Sequence, residues 1–160
     1  MKVALIMGSK SDLPFVESAI RILKDFGVPF EVKILSAHRT PDELERYIEE
    51  AEKAGVRVFI AAAGGAAHLP GVIASKTLLP VIGLPIKSRD LMGFDSILSI
   101  AQMPEGVPVA TVGINRAKNA ALLAVQMLSL EDPSLLKKLR DFRQKQKERV
   151  LSAEVNLDEI

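Results

Sequence analysis

Apolar residues recur along this chain with two alternating periods, and the alternation outlines a fold before any single residue is weighed. Val3-Ala4-Leu5-Ile6-Met7 is an unbroken apolar run that stops at Gly8, the pattern of a parallel strand buried on both faces. Val16, Ala19, Leu23 and Phe26 follow at i, i+3, i+7 and i+10; Pro14 suits a first turn and Gly27 with Pro29 a stop, so a helix is expected there. Phe30, Val32 and Ile34 then alternate as a second strand. Thr40-Pro41-Asp42-Glu43 has the form of a capping box with proline at N1, which starts a helix running to about Ala54, before Gly55. Val56 to Ala62 reads as a third strand. Further on, a helix from about Pro70 to Leu78, a strand from Val81 to Leu84, a helix near Phe94 to Met103 and a strand from Val107 to Val112 continue the pattern. Ala117 to Leu130 is apolar on nearly every face after its first turn, which predicts a buried helix. Asp132-Pro133 caps a last, strongly charged helix to about Arg149, and residues from about 150 to 160 are expected to form a loosely held tail.

Strands alternating with helices imply an α/β fold with a parallel sheet wrapped by helices. No repeat, low-complexity stretch or linker interrupts the pattern, so residues 1–160 are expected to form a single domain. A chain of 160 residues can bury about 70% of the surface its unfolded form exposes, enough for a sizeable core.

Composition removes several classes of function. Twenty-one Lys and Arg against twenty Asp and Glu leave a net charge of +1, and aromatics make up 4%. Neither the electrostatic footprint nor the stacking platforms of a nucleic-acid binder are present, so no nucleic-acid partner is expected. The absence of cysteine excludes disulfides, thiol nucleophiles and sulfur-built zinc sites, and is compatible with a reducing, cytoplasmic setting. The start "MKVALIMGSK" has five consecutive apolar residues, too few for a signal core, and Gly64, Gly65, His68, Pro70, Lys76 and Pro80 break the apolar region from Val58 to Ile86 short of a membrane span. A soluble protein with no membrane partner is expected.

In open α/β sheets ligands bind beyond the carboxyl ends of the strands, so the loops after each strand carry the candidate chemistry. Gly8-Ser9-Lys10-Ser11-Asp12 leads a glycine and two hydroxyls into a helix start, where free N–H groups and the dipole favour an anion. It matches neither the dinucleotide nor the triphosphate glycine motif. A tight turn with Ser11 or Asp12 as N-cap is the plain alternative. In Ser36-Ala37-His38-Arg39-Thr40-Pro41, Thr40 and Pro41 are accounted for by capping, whereas Ser36, His38 and Arg39 are not. A histidine at a strand end can gain and lose a proton near neutral pH; a structural histidine and a solvated arginine are the alternatives. The third loop, Ala63 to Pro70, brings the second histidine, His68, with glycines and alanines that permit close backbone approach or tight helix-strand packing. That both histidines of the chain lie in such loops favours a site. Two histidines thirty residues apart do not make a metal ligand set, and no GxSxG elbow is present. General acid-base chemistry on a small phosphorylated substrate remains.

Four blocks, "MGSKSD" (Met7 to Asp12), "SAHRTP" (Ser36 to Pro41), "AGGAAHLPG" (Ala63 to Gly71) and "QMPEGVPVAT" (Gln102 to Thr111), resemble in order and spacing the N5-carboxyaminoimidazole ribonucleotide mutases, class I of the aminoimidazole ribonucleotide carboxylase family. The resemblance implies a three-layer αβα, flavodoxin-like parallel sheet with a C-terminal helix, assembled as a homo-octamer without metal or organic cofactor. It implies a reaction of purine biosynthesis in which a carboxylate moves from the exocyclic N5 to ring carbon C4 by release and recapture of CO2. By the same resemblance Ser9, Ser11 and Asp12 would hold phosphate and ribose, Arg39 would pair with the phosphate, and His38 would transfer protons. Gly64, His68 and Leu69 would line the pocket around the imidazole and the CO2, and Gly8, Ser36, Ala37 and Ala67 complete the implied substrate-binding set. A related class carboxylates aminoimidazole ribonucleotide directly, and there Lys is expected after the loop histidine, so Arg39 favours the mutase. A non-catalytic nucleotide- or phosphate-binding module would use the Gly8 loop but has no need of His38.

Overall fold

The computed structural model describes residues 1–154. Five strands, β1 (Lys2–Met7), β2 (Phe30–Ile34), β3 (Val56–Gly64), β4 (Val81–Ile86) and β5 (Ala110–Thr111), pair in parallel in the order β2-β1-β3-β4-β5. The helices are α1 (Leu13–Phe26), α2 (Pro41–Lys53), α3 (Leu69–Ala74), α4 (Phe94–Ala101), α5 (Ala117–Leu128) and α6 (Pro133–Leu151). The pleat divides the strand residues between two cores. Val3, Leu5 and Met7 of β1, with Val58, Ile60, Ile82 and Leu84, pack against α1, α5 and the start of α6. Ala4 and Ile6, with Phe59, Ala61 and Val81, pack against α2, α3 and α4. This is the expected three-layer, flavodoxin-like arrangement with a C-terminal helix. A one-residue slip of β1 would exchange its two sets of side chains between unlike cores, which pins the register.

Several elements end elsewhere than the apolar pattern predicts, each for a local reason. β5 spans two residues instead of Val107 to Val112. Val107 donates its N–H to Pro104 in a turn, and Pro108 has no N–H to give a ladder. α3 stops at Ala74, short of Leu78, where the Ser75 hydroxyl donates to the Val72 carbonyl and the Thr77 hydroxyl accepts from the N–H of Leu79. α4 stops at Ala101 because the residue before Pro104 is driven out of helical geometry. β4 runs two residues past Leu84, through Pro85; β5 pairs with Ile82 and Gly83 only, so the missing N–H of Pro85 disturbs no ladder.

α5 is also less enclosed than its composition predicts. Ala117, Ala120, Ala121, Ala124, Val125 and Leu128 are buried, while Leu122, Leu123 and Met127 are half-buried. α6, capped by an Asp132 side chain that accepts from the Ser134 N–H at 2.9 Å, continues to Leu151 and so includes the first residues of the expected tail. Residues 155–160 lie outside the described residues.

Candidate active site

The crossovers on either side of β1 run in opposite directions, so the sheet order reverses between β1 and β3. The loops beyond the carboxyl ends there diverge into a crevice. A cleft of about 420 Å³ occupies that position, within the roughly 300–1,000 Å³ usual for small-molecule sites. A larger cleft, about 870 Å³, lies by the amino ends of β4 and β5, lined by Lys76 to Val81 and Gly106 to Pro108. It is at the wrong end of the strands and contains neither histidine, so the smaller cleft is the candidate site.

Four loops build the smaller cleft, three of them those after β1, β2 and β3. After β1, Ser9 caps a 3-10 turn over Lys10–Asp12: its hydroxyl oxygen accepts from the Ser11 N–H (3.3 Å) and the Ser11 hydroxyl (2.9 Å). Ser9 caps the 3-10 turn, while Asp12 stands at the N-cap position of α1 without a side-chain hydrogen bond. A Cβ on Gly8 would meet nothing within 4 Å, and its φ is not in the left-handed region. The fold therefore tolerates a side chain there, and what a side chain would obstruct is the open cleft. After β2, the Thr40 hydroxyl does not cap α2; it accepts from the Ser36 N–H (2.9 Å) and donates to the Ser36 carbonyl (3.1 Å), closing the loop on itself. The Ser36 hydroxyl accepts from the Arg39 N–H (3.2 Å), and the Arg39 guanidinium donates to the Gly8 carbonyl across the cleft floor (2.9 Å). After β3, Gly65 takes the left-handed turn (φ +63°) and Gly64 would place a Cβ at ordinary contact from Ile86, so tight packing does not account for Gly64.

The two histidines meet. His38 Nε2 lies 2.7 Å from His68 Nδ1, with the rings edge to face and their centroids 4.8 Å apart. Such a bond needs one N–H and one lone pair, so the rings cannot both be imidazolium while it lasts. Burial pushes the Asp12 carboxyl above its ordinary value, against a backbone hydrogen bond at Ser9 and the charge of Arg39, which both pull it down.

Gly8, Ser9, Ser11, Asp12, Ser36, Ala37, His38, Arg39, Gly64, His68 and Leu69 all line the cleft. Ala67 does not: it is buried in the core below, its N–H bonded to the Gly65 carbonyl at 2.8 Å. Sequence reasoning passed over Phe15, Ile86, Lys87 and Ser88, which also line it. Lys87 and Ser88 follow β4, so the rule that directed attention to the first three loops extends to them.

A family model described as AIR carboxylase matches residues 2–149. The chain belongs to the AIR carboxylase family. It is 56% identical over 158 residues to the N5-carboxyaminoimidazole ribonucleotide mutase of Pyrococcus horikoshii, covering 99% of this chain and 89% of that one. The corresponding mutase of Thermotoga maritima is 51% identical, with 99% and 93% covered. A third family member, the phosphoribosylaminoimidazole carboxylase of Saccharomyces cerevisiae, is 55% identical over 99% of this chain but 28% of its own greater length. The crystal structure of Treponema denticola PurE matches the fold with a TM-score of 0.86 at 30% identity, covering 93% of each chain.

Proposed function

We propose that this chain is a single-domain N5-carboxyaminoimidazole ribonucleotide mutase of purine biosynthesis, an isomerase acting on a small ribonucleotide. The observation that carries the reading is the His38–His68 pair at the switch point of the sheet, next to an arginine and a hydroxyl-rich loop. The 5′-phosphate would sit at Gly8 to Asp12 with Arg39 as counter-charge, where turn N–H groups, hydroxyls and a guanidinium converge. Asp12 would take the ribose hydroxyls, and the imidazole would reach Gly64, Leu69 and the histidines.

The chemistry needs one proton given and one taken back. His38 protonates N5 as the C–N bond breaks, which leaves CO2 and neutral aminoimidazole ribonucleotide. The electron-rich C4 attacks the trapped CO2, and the now neutral histidine removes the C4 proton. The proton count closes, and the enzyme returns to its starting state. His68 orients the His38 ring and shares its proton. A shielded cleft would keep CO2 from escaping between the two half-reactions.

Two finer features accompany the reading. Homo-octameric assembly is supported by Leu91, Met92, Phe94 and Leu98, each more than half exposed on neighbouring turns before and within α4, a surface an isolated chain would leave wet. A cytoplasmic location is supported by the cysteine-free composition. Among the described residues no helix is long and apolar enough to cross a membrane.

Purified protein incubated with N5-carboxyaminoimidazole ribonucleotide, and separately with aminoimidazole ribonucleotide plus bicarbonate, tests the reaction. We expect rapid turnover of the first without added bicarbonate. Turnover confined to the second mixture would make the protein a direct carboxylase, and binding without turnover of either would leave a nucleotide-binding module.

A further inference from the structure

The charged groups lining the cleft are Asp12, Arg39 and Lys87. Arg39 lies against Gly8, on the β1 and β2 side, close enough to Asp12 to lower its affinity for a proton. The proposed reading assigns the Arg39 charge to the phosphate. At neutral pH the substrate of the proposed reaction has a phosphate of about −1.5 to −2 and a carboxylate. Lys87 is the cation left to meet the second anion.

Its position is built. In the sheet register Met7 pairs with Ala62, and Gly64 pairs with Ile86. Lys87 thus follows the far end of β4, beside the Gly64-Gly65 turn and about two strand spacings, or ~10 Å, from β1. The phosphate loop and Lys87 therefore stand on different strands of the cleft with the His68 loop between them, while His38 reaches His68 from the loop after β2, on the other side of β1. The backbone of Lys87 is clamped: its N–H donates to the Asn115 side-chain oxygen (2.9 Å), and the Asn115 N–H donates to the Pro85 carbonyl (2.9 Å). Asn115 makes both bonds from a left-handed backbone, φ +57°, which few residues other than Gly, Asn and Asp adopt. Next along the chain, the Ser88 hydroxyl donates to Asp95 (2.7 Å) and accepts from the Gly93 N–H (3.2 Å), which closes the following loop. The side chain of Lys87 is exposed, and it makes no ion pair among the described residues.

We infer that Lys87 binds the carboxylate of the substrate and of the product, and so sets the preference for carboxylated over uncarboxylated ribonucleotide. The inference rests on the mutase reading. Because the carboxylate is an anion at both ends of the reaction but neutral CO2 in between, a cation holding it contributes to affinity and not to the rate of the chemical step.

The test compares wild type, Lys87→Gln and Lys87→Arg, titrated calorimetrically with 4-carboxy-5-aminoimidazole ribonucleotide and with aminoimidazole ribonucleotide. Turnover of N5-carboxyaminoimidazole ribonucleotide is measured on the same preparations. For Lys87→Gln we expect about tenfold weaker binding of the carboxylated nucleotide, the scale of a partly exposed charge-assisted contact, and less than a twofold change for the other. KM should rise in parallel while kcat does not fall, and Lys87→Arg should restore most of the lost affinity. Unchanged affinity, or equal losses for both nucleotides, would overturn the role of Lys87 while the wild-type data leave the mutase intact. A wild type that binds neither nucleotide would remove both the mutase reading and this inference.

Discussion

Arg39 is anchored at its N–H by Ser36 and at its guanidinium by the Gly8 carbonyl, so the charge stands ready over the turn without a conformational search. Replacing Arg39 by Ala should weaken nucleotide binding by about 1.5–3 kcal/mol, the worth of a hydrogen bond to a charged group, and leave the nucleoside almost unaffected. Calorimetry with both ligands checks this; equal losses would refute the phosphate assignment. Asp12 allows a prediction against pH. Its folded-state value is raised above the ordinary 3.8, so the folded protein holds the proton more tightly than the unfolded chain and ionisation opposes folding. That cost is absent below about pH 3.8, grows as pH rises toward the raised value, and is constant above it. Asp12→Asn should therefore match wild type in stability at the acid end and exceed it modestly near neutrality, because the half-buried site is partly screened by solvent. Activity should fall if the carboxylate holds the ribose. Urea unfolding at several pH values measures the first effect; stability lost at neutral pH would contradict it. Thr40 shows where residue-level reading failed: its sequence context reads as a cap, yet its hydroxyl turns back to Ser36 and shapes the loop that carries His38. Sequence spacing constrains which bonds are possible, and the competing local acceptor decided.

Elements with strong periodicity were legible. β1, β2, α1 and α2 fall within about a residue of their expected bounds because their apolar spacing and their proline or glycine punctuation agree. The region from α3 to β5 was read less well, because its boundaries depend on local hydroxyl bonds and prolines that the apolar spacing does not register. Gly83 illustrates a distant partner. On β4 it looks unremarkable in sequence, but a Cβ there would overlap Cγ2 of Ile100 on α4 and stand 3.0 Å from Val109. Both neighbours belong to the packed core, so Gly83→Ala should destabilise by about 1–3 kcal/mol, as overpacking usually does. Chemical denaturation checks this, and a change below about 0.5 kcal/mol would mean that α4 can shift away freely. By contrast Gly8→Ala should fold with unchanged stability and lose nucleotide affinity, since only the open cleft lies where its methyl would go.

For the whole molecule, the doubly wound sheet brings loops more than fifty residues apart in sequence into one crevice. The candidate site could therefore be listed loop by loop from the sequence but not assembled. Both histidines were singled out by their positions after strands; that they touch at 2.7 Å follows from the sheet order β2-β1-β3, which no local pattern states. Lys87 follows β4, on a fourth loop of the same crevice that the sequence reading did not weigh. Assembly belongs to this scale as well. The exposed Leu91, Met92, Phe94 and Leu98 should be covered in a homo-octamer, and light scattering at micromolar concentration should give eight times the chain mass. A monomer would contradict that.

The proposed proton carrier is the centre of the mechanism, and His38→Asn tests it most directly. Asparagine keeps the size and polarity of the loop but cannot transfer the proton. Turnover of N5-carboxyaminoimidazole ribonucleotide, nucleotide affinity and particle mass should be measured on one preparation, so that a collapsed loop is not mistaken for lost chemistry. We expect affinity and mass to match wild type while kcat falls by at least ~10²–10⁴-fold, the usual worth of a positioned general acid-base group. Activity within tenfold of wild type would contradict the assignment of His38.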